Sequence, residues 1–239
     1  MNNVKVLDIR VDLVDFDDTI NHIKNCISNQ QYAHIITLNA EMVMYCHKDP
    51  DLKNIINSSS LVIPDGIGVV WALRRKGFKI NRLPGIELVD KLFEISQKQG
   101  YRIFLLGSKP EVLEKAYDNI INKYRGINIV GIQHGYFTES EEELIINNIK
   151  RVFPDILLVA LGVPKQEKWI AKYQSIINVP ICIGVGGTFD VLSGDKKRAP
   201  VFIQKCHMEW LYRLCQEPSR WKRMLVLPKF VKEVLTSDR

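Results

Sequence analysis

A chain of 239 residues, 46% of them apolar and 25% charged, has the composition of a soluble globular protein with a core of one or two domains. No window holds the roughly eighteen uncharged apolar residues of a membrane span, and the five cysteines show neither a CxxC pair nor metal-ligand spacing. The net charge of +6 is concentrated in residues 196–239, which carry eleven Lys or Arg against four Asp or Glu, while the rest of the chain is close to neutral.

The opening MNNVKVLDIRVDLVD alternates like a strand and lacks the charged end and apolar core of a signal peptide. With no secretion signal, Cys26, Cys46, Cys182, Cys206 and Cys215 are expected to be reduced, mostly buried thiols of a cytoplasmic protein. Asp15-Phe16-Asp17 has the D-x-D spacing with which many nucleotide-sugar enzymes hold a divalent metal. It also leads directly into a helical run, and Asp17 or Asp18 suits that helix as N-cap, which is the favoured reading. His22, His34, His47, His134 and His207 are scattered without ligand spacing, so no metal and no cofactor are expected.

AHIITLN (33–39) reads as a strand whose last turns of pattern, Thr37 and Asn39, lie two apart and therefore on one side. A helix through EMVMYCHKD follows. SLVIPD (60–65) is a short strand ending on Asp65, and GVVWALRRKG is a helix with a glycine stop. At this level Asp65 suits two roles equally. As N-cap of that helix it would accept backbone N–H bonds, which lowers a carboxyl pKa; otherwise it is a carboxylate placed for chemistry.

RIFLLGS (102–108) is a buried strand opening a helix over 109–124, with Ser108 as the cap. Gly107 and Ser108 thus stand where backbone N–H groups bind phosphate, although G-x-G-x-x-G is missing. INIVGIQHGYF is a further strand before the helix EEELIINNIKRV. DILLVALG (155–162) and VPICIGVGG (179–187) are buried strands flanking a helix around QEKWIAKYQ, with Gln166 at its start. Gly184, Gly186 and Gly187 serve a nucleotide contact or a tight turn equally well.

This alternation predicts an α/β fold with a largely parallel sheet and helices on both faces. From about residue 196, VFIQKCHMEWLYRLCQ and SRWKRMLVLPKFVKEVL read as two basic helices, the second kinked or ended by Pro228. A boundary near Asp195 divides an α/β core, 1–195, from a basic helical appendage, 196–239, whose removal should leave the core folded. The lopsided charge suggests a polyanionic partner: nucleic acid, an acidic membrane or phosphate groups. Thr37, Asn39, Asp65, Gln166 and the glycine loop all fall at predicted carboxyl ends of strands. A parallel sheet brings those ends to one edge, and this convergence tilts Asp65 toward catalysis.

Taken in order, TLNAEMVMYCHKDPDL, VIPDGIGVVWALRRKG, the R-x-P-G of Arg82 to Gly85, FLLGSKPEV, LLVALGVPKQEKWI, GVGGTFDVLSGDKKRAP and EWLYRLCQEPSRWKRM resemble the WecG/TagA/CpsF family of bacterial glycosyltransferases nearly end to end. TagA-like enzymes of wall teichoic acid synthesis look most similar. The resemblance implies a Rossmann-like fold and transfer of N-acetylmannosamine from UDP-ManNAc to the 4-hydroxyl of a lipid-linked GlcNAc diphosphate, with inversion and without metal. Relatives that use UDP-ManNAc-uronic acid or UDP-glucose mark the alternative. Asp65 matches the family's general base, and Thr37 and Asn39 match positions that hold sugars. Gln166 is expected to touch donor or acceptor. Arg82 is the first candidate for the diphosphate, followed by Arg213, Arg220 and Arg223 in the tail. The tail is expected to meet the anionic inner face of the cell membrane through its basic residues and Trp210, Tyr212 and Trp221. A nucleic-acid-binding protein would explain the charge alone, so no nucleic acid partner is expected. Oligomeric state, a homo-oligomer included, is open.

Overall fold

The computed structural model describes residues 2–206, 208–218 and 221–237, with the side chains of all of these except Lys205, Lys222 and Arg223. Arg220 and the side chain of Arg223 therefore lie outside the described residues. The chain begins with a hairpin, β1 (Asn3–Val6) and β2 (Ile9–Asp12), and the helix α1 (Phe16–Ser28). Next come β3 (Ala33–Leu38), α2 (Ala40–Cys46), α3 (Pro50–Ser58), β4 (Leu61–Pro64), α4 (Ile67–Arg75) and α5 (Gly85–Gln99). The second half contains β5 (Arg102–Gly107), α6 (Pro110–Lys123), β6 (Asn128–Gln133), α7 (Glu139–Arg151), β7 (Ile156–Ala160), α8 (Lys165–Ile177), β8 (Ile181–Gly184) and α9 (Thr188–Leu192). After it the chain continues through α10 (Val201–Lys205), α11 (Glu209–Gln216), α12 (Trp221–Met224) and α13 (Val226–Ser237).

Six strands form one parallel sheet in the order β4-β3-β8-β7-β5-β6. Strands β4, β7 and β8 are buried along their whole length, as a sheet covered on both faces requires. Alternate residues supply the two faces. Ile35, Ile63, Ile103, Leu105, Leu158 and Ile183 meet residues of α1, α5, α6 and α9, whereas Ile36, Leu38, Val62, Phe104, Leu106 and Val159 meet α2, α4, α7, α8 and α13. Asp12, fully buried in the hairpin, accepts a hydrogen bond from the Val62 N–H at 2.7 Å and so covers part of the open edge of β4.

The face chosen by each helix creates the crevice. After β3 the chain turns to the face of α2, and after β8 it turns to the opposite face, where Phe189 of α9 is buried. The carboxyl ends of the neighbouring strands β3 and β8 are therefore left uncovered, at a topological switch point.

The helix expected through EMVMYCHKD ends at Cys46, and Asp49 caps a separate helix, α3, by accepting the Leu52 N–H at 3.0 Å. The two long tail helices are each broken, into α10 and α11 and into α12 and α13. Pro228 lies in the first turn of α13, just after the break at Leu225, where its missing N–H has no intrahelical partner to lose. The cysteines are free and mostly buried, as expected: Cys26, Cys46 and Cys182 are buried, and Cys206 and Cys215 are exposed. The tail is also not one appendage. Phe230 and Val234 of α13 are buried with α2 and α4 in the core, so removal of residues 196–239 would uncover that core rather than spare it. Among the described residues of the tail, Lys196, Arg213 and Glu217 line the crevice.

Candidate active site

A cleft of about 1330 Å³ opens at the carboxyl edge of the sheet. Thr37, Asn39, Asp65, Ser108, Gln166, Gly186, Gly187 and Arg213 all line it, although they come from six separate segments of the chain. Arg82 stands just behind Asp65 rather than in the lining. Gly107 and Gly184 are not in the lining either: a Cβ on Gly107 would press on the Ala160 carbonyl, and one on Gly184 would press on the Gln166 amide. Close packing accounts for both.

Asp65 follows the last residue of β4, and its N–H continues the sheet by donating to Leu38 O at 3.0 Å. It does not cap α4. The N-cap is Gly66, which has no side-chain cap bond. The Asp65 Oδ1 instead accepts the N–H of Gly85, first residue of α5, at 3.0 Å, with the Arg82 guanidinium 3.7 Å away. Gly66 allows this turn, because a Cβ there would lie 2.8 Å from Asn39 Cβ. Burial raises the Asp65 carboxyl above its ordinary pKa. Arg82, the Gly85 N–H and Arg213 pull it down, and Glu209 adds to the rise, without reversing the balance. A carboxyl poised upward is a better proton acceptor than a capping aspartate would be.

Asn39 caps α2, its Oδ1 accepting the Met42 N–H at 3.0 Å, so its amide N–H groups are the ones left for a ligand. Thr37 donates its hydroxyl to Gly184 O at 3.2 Å, leaving the oxygen free to accept. Gln166 turns its carbonyl away from any ligand: Oε1 accepts both Gly162 N–H at 3.2 Å and Gly186 N–H at 3.1 Å. Ser108 is not a helix cap; Lys109 occupies that position, without a side-chain cap bond, and Ser108 takes a left-handed φ of 60°.

Arg82 bridges Asp65 and the tail. Its Nε donates to the Asp65 carbonyl and one terminal nitrogen pairs with Glu209 of α11, whose carboxylate is buried and also lies 3.8 Å from Arg198. Further along α11, Arg213 lines the cleft and makes no ion pair among the described residues, and Lys196 joins Asp190 at 2.9 Å to Glu217. Lys109 and Lys165 also line the cleft, whose wall mixes these bases with Glu41, Asp190, Asp195 and Glu217. Sequence reasoning missed Asp190, Lys196, Glu209, Glu217 and Glu167. Asp190 closes the GVGGTFD run that was read only for its glycines, and Glu209 was hidden among basic neighbours. Asp15, meanwhile, is the N-cap of α1 in place of Asp17 or Asp18, accepting the Asp18 N–H at 2.8 Å while the Asp18 carboxylate accepts the Asp15 N–H at 3.1 Å. That capping box engages Asp15 and Asp18 but not Asp17, and Asp15 and Asp17 are absent from the cleft lining.

The family described as "Glycosyl transferase WecG/TagA/CpsF family" matches residues 4–239. Among curated proteins, one from Bacillus subtilis (strain 168) is 38% identical over 217 residues, spanning 90% of this chain and 84% of its own length. Another, from Bacillus spizizenii, is 34% identical over 96% of this chain and 90% of its own. A third, from Staphylococcus aureus (strain MW2), is 35% identical over 95% of this chain and 91% of its own. All three are named N-acetylglucosaminyldiphosphoundecaprenol N-acetyl-beta-D-mannosaminyltransferase.

Proposed function

This chain belongs to the WecG/TagA/CpsF family of glycosyltransferases, and from that premise we propose the chemistry its cleft performs. The protein is an N-acetylmannosaminyltransferase acting on lipid-linked GlcNAc diphosphate, the reaction named for its relatives. Those names carry N-acetylmannosamine, and the uronic acid and glucose alternatives find no support in them. The observation that carries the reading is Asp65: a carboxylate raised by burial, in a cleft built from strand ends whose lining also carries Lys109, Lys165, Lys196 and Arg213.

In the proposed step UDP-ManNAc lies along the crevice between β3 and β8. The acceptor's 4-hydroxyl oxygen attacks the anomeric carbon from the face opposite the diphosphate. Its proton passes to Asp65, and the electron pair of the breaking C–O bond moves onto the departing UDP. Charge growing on that diphosphate is met by Arg82, Arg213 and the Gly186 and Gly187 loop, with Arg220 and Arg223 held to the same role from the sequence. The diphosphate takes the place of the Glu209 carboxylate on Arg82. Asn39 and Thr37 hold sugar hydroxyls with the donor and acceptor atoms that their structural bonds leave over.

Arg82→Ala is expected to lower kcat by about 100-fold or more, the size of loss when one transition-state donor is removed. Arg82→Lys should recover little of it, because a point charge cannot hold the Asp65 carbonyl and an anion together. Initial rates of UDP release measure both. The reading as a whole is tested with a panel of UDP-sugars and a short-chain GlcNAc-diphosphoprenol acceptor; release of UDP with every donor except UDP-ManNAc would overturn it.

The lipid substrate gives the 196–225 stretch its role. No helix among the described residues is long and apolar enough to cross a membrane. Phe202, however, is 77% exposed, and Val201, Met208, Trp210, Trp221 and Leu225 are exposed on the same stretch. Apolar side chains among many basic residues suit a peripheral contact with an anionic leaflet. Phe202→Ser with Leu225→Ser should reduce co-sedimentation with phosphatidylglycerol vesicles by about tenfold or more, while leaving the melting temperature unchanged.

A further inference from the structure

Beneath the cleft wall lies a carboxylate that the transfer step does not use. Glu167, in the first turn of α8, is 1% exposed. Its Oε1 accepts a hydrogen bond from Gln166 Nε2 at 2.7 Å, and its Oε2 has no partner among the described residues. Burial pushes this carboxyl up to about 7.

The Gln166 amide has two unlike ends, and its surroundings admit only one orientation. Two N–H groups, from Gly162 and Gly186, point at its carbonyl oxygen. Its Nε2 must then find an acceptor, and Glu167 is the acceptor present. A flipped amide would set an NH2 group against two N–H donors and leave its own oxygen against a carboxylate. Gly162 belongs to the loop after β7 and Gly186 to the loop after β8, and both line the cleft. One amide therefore ties two loops of the site together, its direction set by the two N–H donors and its far end anchored on one buried carboxyl group. The arrangement is costly, since a buried oxygen without a partner weakens a fold. A group that weakens the fold while ordering a binding surface is expected at a functional site rather than in an ordinary core.

We propose that Glu167 is a positioning residue: its carboxyl group anchors the Nε2 end of the Gln166 amide, which holds the Gly162 and Gly186 loops at the spacing that receives the donor nucleotide. This rests on the sugar-nucleotide reading of the cleft, and the test separates the two.

UDP binding is measured by calorimetry on the full chain for wild type, Glu167→Met and Glu167→Gln, beside melting temperatures and donor KM. Glu167→Met removes the acceptor and keeps the bulk. It is expected to weaken UDP binding by about tenfold or more, as small misplacements in a site do, and to raise donor KM in step. Its melting temperature should be equal to wild type or higher, because the unpartnered oxygen is gone. Glu167→Gln retains a carbonyl that accepts from Gln166 and should bind UDP within about twofold of wild type. A purely structural Glu167 would give the reverse pattern, a lowered melting temperature with unchanged UDP affinity. Should methionine prevent folding, Glu167→Asp draws the acceptor back by one methylene and is expected to weaken UDP binding likewise. Wild-type affinity in Glu167→Met or Glu167→Asp overturns the positioning role. A wild-type chain that fails to bind UDP overturns the nucleotide reading itself, and the positioning role with it.

Discussion

Asp65→Asn is expected to lower kcat by about 100-fold to 10,000-fold, the range a general base contributes, while UDP affinity stays within about twofold of wild type. Asparagine has nearly the same shape and its carbonyl can still accept the Gly85 N–H, so the turn between β4 and α5 is preserved. What it cannot do is receive a proton. Rates and calorimetric titration with UDP distinguish this from a collapsed site, in which both quantities would fall together. The pH profile gives an independent sign. The base must be ionised, so wild-type kcat/KM falls as pH drops through the Asp65 pKa, and burial places that acid limb above the ordinary carboxylate range. In Asp65→Asn the limb should vanish from the residual rate. Stability runs the other way. A carboxyl whose folded pKa is raised binds its proton more tightly in the folded state, so this contribution is full at low pH and is lost as pH rises through the raised value. The asparagine variant should therefore melt no lower than wild type at neutral pH. Near-normal turnover in Asp65→Asn would remove the residue from the mechanism.

Phe230→Ala is expected to cost about 3–5 kcal/mol, the range for deleting a buried phenylalanine ring. That is a large part of the roughly 5–15 kcal/mol by which a domain is stable. The ring is 1% exposed, packs against Gly68 of α4, and shares a core with α2. For a chain of this size the loss corresponds to a fall in melting temperature of roughly 6–20 °C, read by thermal unfolding followed by circular dichroism. α2 is capped by Asn39 and α4 begins just after Asp65, so α13 braces the two helices next to these residues. A drop of only a degree or two would show that α13 is dispensable to the core.

Much of the sheet was legible because its signals are local. Runs such as ILLV and ICIG are buried on both faces, and their length and flanking glycines mark them wherever they occur in a chain. The appearance of Thr37, Asn39, Asp65, Gln166 and the glycine loop at one edge followed from parallel strands alone. The tail was harder to read. Its basic residues and aromatics were visible, but Phe230 and Val234 bear no local mark that separates a helix returning to the core from one left on the surface. Asp15 and Asp18 share one capping box, and counting carboxylates near the helix start did not say which of them stood outside it.

By itself, the sequence determined the fold class and the sheet edge at which Thr37, Asn39, Asp65 and Gln166 converge. Each of these depends on hydrophobic periodicity or on strand direction, which neighbouring residues encode. Tertiary structure alone decided what each side chain does there. Asp65 is held by Gly85 rather than by the helix that follows it. Arg82 is occupied by Glu209, 127 residues away in the chain, and the amide of Gln166 closes on Gly186, 20 residues on. Those partners are brought together by the order of strands and the face each helix takes, and no local pattern carries that order.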